Sequence, residues 1–278
     1  MSDKNAKASL LGEEASYPTK YTPELLQAIA RVDSRVKLGK SLPPMSGVDI
    51  WTAYEVSWLT PQGKPQVAIA RFVFSSASPA IIESKSFKYY LNSLNQHTFE
   101  SQNTLQQTLE SDLTAACGAP VGVQLFSIDE YEGIARLPGL CVDNLDAEQY
   151  AYQPSATLLR FSENTVVNDM FNSHLLKSNC PVTGQPDWAS VWIRYSGLAL
   201  QPQSFLAYVV SFRSHQDFHE NCIERMFCDL WGSGKLNSLE VYALYTRRGG
   251  LDINPYRSSE ELASQPPEVL LKLRIARQ

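Results

Sequence analysis

An internal repeat limits the fold more than any other feature of this chain. Within its 278 residues, a displacement of 118 positions sets Ser86-Phe87 on Ser204-Phe205, Tyr90 on Tyr208, Ser93 on Ser211 and His97 on His215. Leu91 then meets Val209, Leu94 meets Phe212 and Val123 meets Val241. One inserted residue brings Phe99 onto Phe218. The predicted elements recur in the same order. Val48 to Leu59 alternates as a strand should, Pro61-Gln62-Gly63 turns the chain, and Val67 to Ser75 completes a hairpin. Helices are expected over about 85–95 and 101–116, and a strand over Val121–Ile128. The second half offers a strand over Val191–Leu200, helices over Ser204–Arg213 and Glu220–Leu230, and a strand over Leu239–Thr246. We read a tandem duplication of a β-β-α-α-β unit.

The predicted organisation is a mobile tail over 1–20, a first unit over 21–135, a linker over 136–155 and a second unit over 156–278. The linker is marked by Pro138, Gly139, Pro154 and several acids. Thr22-Pro23 reads as a helix start. A hydrophobic fraction of 44% suits globular units, and a net charge of −5 argues against a broad grip on nucleic acid. The first twenty residues lack the apolar stretch of a signal peptide, and no apolar run is long enough to span a bilayer. The five cysteines are read as reduced thiols in the cytoplasm.

The copies differ where chemistry concentrates. Glu83 and Lys85 of the first face Gln201 and Gln203 of the second, whereas Cys180 and His219-Glu220 lie in the second. Cys180 sits in a Pro/Gly turn that would expose its sulfur, with Lys177 and His219 able to favour the thiolate. The other reading is an inert buried cysteine. Asp187, between Pro186 and Trp188, is either a turn or helix cap or a carboxyl whose pKa rises beside an aromatic wall, making it a general acid. His215, His219, Cys222 and Cys228 are read as one polar site histidine and core side chains rather than zinc ligands, for no CxxC pair is present. The run Glu83–Tyr90 is a charged helix start or a binding segment. Arg247-Arg248-Gly249-Gly250 is a hairpin end or a phosphate site. Neither a GxGxxG fingerprint nor P-loop spacing occurs.

Glu-Ser-Lys-Ser-Phe-Lys-Tyr-Tyr at 83–90 and Ser-Asn-Cys-Pro-Val-Thr-Gly-Gln-Pro-Asp-Trp at 178–188 resemble the signature and nucleophile segments of the NADPH-dependent 7-cyano-7-deazaguanine reductases, the QueF family of queuosine biosynthesis. Phe-His-Glu-Asn-Cys at 218–222 and Arg-Arg-Gly-Gly at 247–250 fit as well. The resemblance covers about 20 to 278 and is to the long form. It implies an α+β fold of two tandem tunnelling-fold units, antiparallel sheets with helices on one face, assembled at least as a homodimer. It implies a nitrile reductase using two NADPH per turnover, with Cys180 attacking the nitrile carbon to form a thioimide and Asp187 donating a proton. Glu83, Ser84, Lys85, His219 and Glu220 would lie at the deazapurine, and Lys85, Ser86, Arg248 and Gly249 at NADPH. No resident metal and no direct nucleic-acid or membrane partner are expected. The alternatives are a metal-dependent pterin- or GTP-processing enzyme of the same fold group and a purine-binding module without chemistry.

Overall fold

A computed structural model describes residues 18, 20–39, 42–128, 134–260, 266–271 and 274–278. The expected tail over 1–20 lies almost wholly outside the described residues. The strands are β1 (Ala28–Ala30), β2 (Ser46–Leu59), β3 (Pro65–Ser75), β4 (Ala80–Ile82), β5 (Val121–Phe126), β6 (Leu140–Cys141), β7 (Phe161–Asn179), β8 (Pro186–Leu200), β9 (Leu236–Tyr245) and β10 (Leu251–Ser258). The helices are α1 (Arg31–Arg35), α2 (Ser84–Ser93), α3 (Gln102–Cys117), α4 (Pro202–Ser211), α5 (His219–Trp231) and α6 (Glu268–Leu271).

The fold is α+β, with α2 to α5 packed on a largely antiparallel sheet. Among the described residues, eight strands from both units form one sheet, ordered β5-β3-β2-β10-β9-β8-β7-β6, and β1 pairs with β4 in a separate two-stranded sheet. The join is the pairing of β10 with β2 from Leu251↔Ala53 to Ser258↔Ser46. The strand that ends the second unit thus completes the first, and Leu251 and Ile253 sit in the first unit's core. We retain the division at 136–155 as a proposal about the repeat, not about separate packing: Leu140 and Cys141 within that segment pair in parallel with Phe171 and Asn172.

The repeated residues are the core. Phe87, Tyr90, Leu91 and Leu94 pack under the first half of the sheet. Phe205, Tyr208, Val209 and Phe212 pack under the second. Their polar neighbours repeat as well. Tyr90 donates to Asp112 at 2.6 Å and Tyr208 to Asp229 at 2.7 Å. Ser86 and Ser204 each bond the backbone carbonyl three residues back and accept a backbone N–H, from Gln27 and Arg160 respectively. One alignment needs correction. Phe99 N–H bonds Leu59 as Asp217 N–H bonds Asn179, so Phe99 corresponds to Asp217 and not to Phe218.

Three local expectations differ from the structure. Pro23 opens only a 3-10 turn to Leu25, and the Thr22 hydroxyl bonds Lys20 rather than capping it. Alternation in β2 predicts Val48, Ile50, Thr52, Tyr54, Val56 and Trp58 on one face, but a bulge between Ala53 and Val56 divides them, and both faces are buried. Trp51 and Ala53 face the helices, while Val48 and Ile50 join Trp192, Tyr256, Leu270 and Ile275 in a third cluster that the C-terminal residues help to form. The strands β7 and β10 were not foreseen. The start of β7 is polar and exposed, and β10 carries Asp252, Asn254, Pro255 and Arg257, all of them buried.

Candidate active site

The site forms where the two units meet. A cavity of about 240 Å³ is lined by Glu83, Ser84, Lys85 and Lys88 from the start of α2, and by Trp51, Ile81 and Ile82 beneath them. The second unit supplies Cys180 to Thr183, Gln185, Asp187, Asp217 to Glu220, Thr246 and Arg248. Two helix N-termini therefore converge on one space, with their positive dipole ends.

Each side chain is held by its local chain geometry. Cys180 begins the β7–β8 turn, where its N–H bonds Gln185 at 2.9 Å and its carbonyl accepts from Gly184 at 2.9 Å. Gly184 closes that turn at φ +69°, a conformation a side chain disfavours. The thiol is partly accessible. Lys177, expected near it, instead bonds Asn179 at 2.6 Å and the Arg213 carbonyl at 2.7 Å.

Asp187 is not a cap, and the rings beside it are the stacked pair of His219 and Tyr245. It lies in β8 opposite Ser178, and strand alternation turns it inward at 3% exposure while Trp188 points out. One of its oxygens pairs with Arg248, and the other lies 3.4 Å from His219 Nε2. Burial pushes its pKa up, but the hydrogen bond and charge of His219 and the guanidinium of Arg248 outweigh burial, and the carboxyl is held below its ordinary value. The expected rise is thus corrected for the ligand-free protein. Arg248 also bonds the Gln185 side chain. His219 stacks flat on Tyr245, with ring centres 3.7 Å apart.

Glu83 follows β4 and caps α2, accepting from the N–H groups of Lys85 at 3.0 Å and Ser86 at 2.7 Å. Glu220, on the first turn of α5, is 2% exposed. Burial, aided by the charge of Asp49, pushes its pKa up to about 7. Behind it lies a buried ion cluster that ties the units together. Arg257 reaches Asp49 at 2.7 Å and Glu224 at 2.9 Å, Arg31 reaches Asp49 at 2.5 Å, and Arg35 reaches Glu224 at 2.7 Å. Asp49 meets two of these guanidinium groups, and Glu224 meets all three, with Arg31 3.9 Å from it, as buried charges require.

Cys180, Asp187, Glu83, Ser84, Lys85, His219, Glu220 and Arg248 thus share one cavity. Ser86 does not line it: its hydroxyl is spent on Gln27 and Glu83. Gly249, at φ +60°, shapes the β9–β10 turn against Lys88. Lys88 is a cavity residue the sequence reading left unassigned. Its place one helical turn after Ser84 and Lys85 was a signal for it. Burial and the neighbouring Arg248 push its pKa down, against the pull of Glu83, Asp187 and Cys180. Among the described residues, the group of potential metal ligands gathered within 4.8 Å is Cys141, Asp143 and His174, none of them on the cavity, and not His215, His219, Cys222 and Cys228. The thiol of Cys222 is buried and pushed up by burial.

Two polar atoms on cavity-lining side chains, His219 Nδ1 and Trp51 Nε1, are buried without a hydrogen-bond partner among the described residues. A thiol, a buried carboxyl bound to a histidine, two further carboxyl groups and a cationic wall suit covalent chemistry on a small polar ligand beside an anionic one.

Residues 17–125 match the family described as nitrile reductase, 7-cyano-7-deazaguanine-reductase N-term, and residues 186–264 match the family described as QueF-like protein. The chain is 57% identical over 270 residues to the NADPH-dependent 7-cyano-7-deazaguanine reductase of Teredinibacter turnerae, covering 97% of this chain and 98% of that protein. It is 51% identical over 251 residues to the protein of the same name from Saccharophagus degradans, covering 90% of this chain and 93% of that one. Among solved structures, the apo archaeosine synthase QueF-Like aligns with 35% of this chain and 95% of its own, at 17% identity and a TM-score of 0.30. With near full-length identity of this order and both halves matched, the chain belongs to the NADPH-dependent 7-cyano-7-deazaguanine reductase family.

Proposed function

We propose that this chain reduces the nitrile of 7-cyano-7-deazaguanine to the aminomethyl group at the expense of NADPH, through a thioimide on Cys180, as a step in queuosine biosynthesis. The observation that carries this reading is the single cavity shared by Cys180, Asp187, His219, Glu83 and Glu220. The fit to NADPH rests on the wall of Lys85, Lys88 and Arg248, where burial and Arg248 already disfavour the charge on Lys88 and an anion would relieve both cations. When bound, NADPH supplies hydride, and two hydrides are required to take a nitrile to an amine.

The protein's own groups prepare the substrate for those transfers. A nitrile carbon is a poor hydride acceptor. The Cys180 thiolate adds to it, forming a C–S bond as the nitrile nitrogen gains a proton from Asp187. The resulting C=N thioimide is a better acceptor. Once its carbon has been reduced, the C–S bond breaks, the thiolate returns to Cys180 and an imine remains for the second transfer. Asp187 regains its proton from solvent, with His219 positioned 3.4 Å away to pass it. Glu83 and Glu220 offer acceptors to the N–H groups on the edge of a guanine-like base. Lys85, Lys88 and Arg248 would hold the cofactor phosphates, beside the turn at Gly249.

The same reading expects a free-base substrate, no direct nucleic-acid contact and a homo-oligomer, at least a dimer. Among the described residues the outer strand β5 pairs with β3 alone, and that edge, open for association, supports the oligomer. Free thiols at all five cysteines suit a cytoplasmic setting. Among the described residues, no helix is long and apolar enough to cross a membrane. The deciding experiment is intact-protein mass spectrometry with 7-cyano-7-deazaguanine and no NADPH. The expected result is an adduct on Cys180 of the full substrate mass, because addition expels no leaving group. An unmodified wild-type protein would refute the reading.

A further inference from the structure

Asp187 is held as no proton donor should be. It is 3% exposed, with Arg248 on one oxygen and His219 on the other. Arg248 spans two residues of the nucleophile segment, donating to Asp187 and to Gln185. Its own side chain is 29% exposed, so a ligand in the cavity can reach it. Its backbone is fixed by paired bonds with Leu251 across the β9–β10 turn. Any release of Asp187 therefore has to come from a swing of the Arg248 side chain.

We propose that Arg248 is a positioning residue that couples cofactor occupancy to the proton donor: without cofactor its guanidinium locks Asp187 as a carboxylate, and cofactor phosphates draw it away so that Asp187 takes up a proton. This rests on the function proposed above. Phosphate competes well for a guanidinium because it matches the same fork of N–H donors and carries more charge. Once Arg248 leaves, Asp187 stays buried and burial favours the neutral acid. The other groups facing it act as follows. His219 on α5 remains its hydrogen-bond partner and goes on favouring the carboxylate through that bond and its charge, which limits the rise. Lys88 on α2 keeps some pull toward the carboxylate and gains charge as Arg248 withdraws, which opposes part of the rise. Cys222 on α5 and Tyr245 on β9 are held in their neutral forms by burial and add no charge. Cys180 as a thiolate, close enough to be felt by Lys88, favours protonation of its neighbours. The proton comes from solvent, so charge lost with the guanidinium is balanced by a proton gained.

The test measures the rate of adduct formation against pH, without hydride transfer, in the presence and absence of 2′-phosphoadenosine diphosphate ribose. This probe carries the cofactor's phosphates but no nicotinamide to crowd the nitrile. In the wild type, saturating probe should raise the rate near neutral pH roughly tenfold, the change made by one pK unit in a mostly ionised acid, and move the alkaline limb to higher pH. Arg248→Met should begin at the raised rate and no longer respond to probe. Gln185→Leu, which loosens the clamp but leaves Arg248, should begin in between and still respond. A wild-type rate that probe leaves unchanged or slows would overturn the proposal. So would a probe that does not bind, or a folded Arg248→Met slower than wild type. If Arg248→Met does not fold, a Gln185→Leu profile identical to wild type overturns it. Absence of any adduct in the wild type would instead remove the proposed function.

Discussion

The two halves keep the same skeleton and divide the candidate site residues between them. The β2–β3 turn and the β7–β8 turn are built alike: Thr60 N–H bonds Lys64 as Cys180 N–H bonds Gln185, and Gly63 and Gly184 close them at φ +79° and +69°. Thr60 therefore stands where the second half has Cys180. On the following strand, Gln66 opposite Trp58 stands where the second half has Asp187 opposite Ser178. The opposite exchange occurs at the next helix. Glu83, Lys85 and Lys88 of the first half correspond to Gln201, Gln203 and Leu206. Gln102 and Asn103, at the start of α3, correspond to His219 and Glu220 at the start of α5. The first half offers a charged helix start and the second offers the thiol, the acid and the histidine. What survives in both is the packing and the Tyr–Asp and Ser–backbone bonds that hold it.

Exchanging residues between the halves tests this division. The largest effect belongs to the thiol. Cys180→Ala should abolish adduct and turnover, and adding Thr60→Cys to it should restore neither, because the first turn is not among the cavity residues and its strand carries no acid. Rescue by Thr60→Cys, followed by turnover assay and intact mass, would break the comparison. Next comes the acid. Asp187→Asn should fold and bind the base, yet form the adduct about 10²–10⁴-fold more slowly, the usual contribution of a positioned proton donor. An Asn variant at nearly the wild-type rate would make Asp187 structural.

A smaller effect is expected at Glu220, whose counterpart Asn103 carries no charge. Its carboxyl is raised from 4.5 to about 7 by burial and Asp49. At pH 5 to 6 the folded protein holds a proton that the unfolded chain has largely released. Its contribution is therefore full below about 4.5 and is lost as pH rises through about 7. Glu220→Gln removes that loss. The variant's stability advantage over wild type should grow across this window, to at most about 3 kcal/mol, and then level off. Denaturant unfolding at pH 5 and pH 8 would show it, and a difference independent of pH would contradict it. The smallest effects test what the halves share. Tyr90→Phe and Tyr208→Phe each remove one hydrogen bond to an aspartate and should cost a similar amount, about 1–2 kcal/mol, with little loss of turnover. A marked inequality would show that the two frames are not energetically alike.

Much of this organisation is legible in the chain. Aromatic and serine positions repeat at a fixed spacing because α2 and α4 must place the same side chains against the same sheet. Their spans, Ser84–Ser93 and Pro202–Ser211, differ by the same 118 positions. The Pro/Gly turn at Cys180 and the arginine turn at 247–250 are local, and local sequence specifies them. Strand β10 was hidden because its inward residues are polar. Asp252 is satisfied by Tyr54 at 2.7 Å and Asn254 at 2.6 Å, and Arg257 by Asp49 and Glu224, partners distant in sequence save Asn254.

The sequence by itself determined the repeat, the turns, the two cores and which side chains are candidates for reactive chemistry, since these follow from spacing and residue type. Tertiary structure alone decided that β10 closes the first unit, that Glu83 and Cys180 face one cavity, and that Asp187 sits ionised under Arg248. Those outcomes depend on distances between groups far apart in the chain. Burial and neighbouring charge, acting through such distances, set the protonation of a carboxyl, and no local pattern of residues records them.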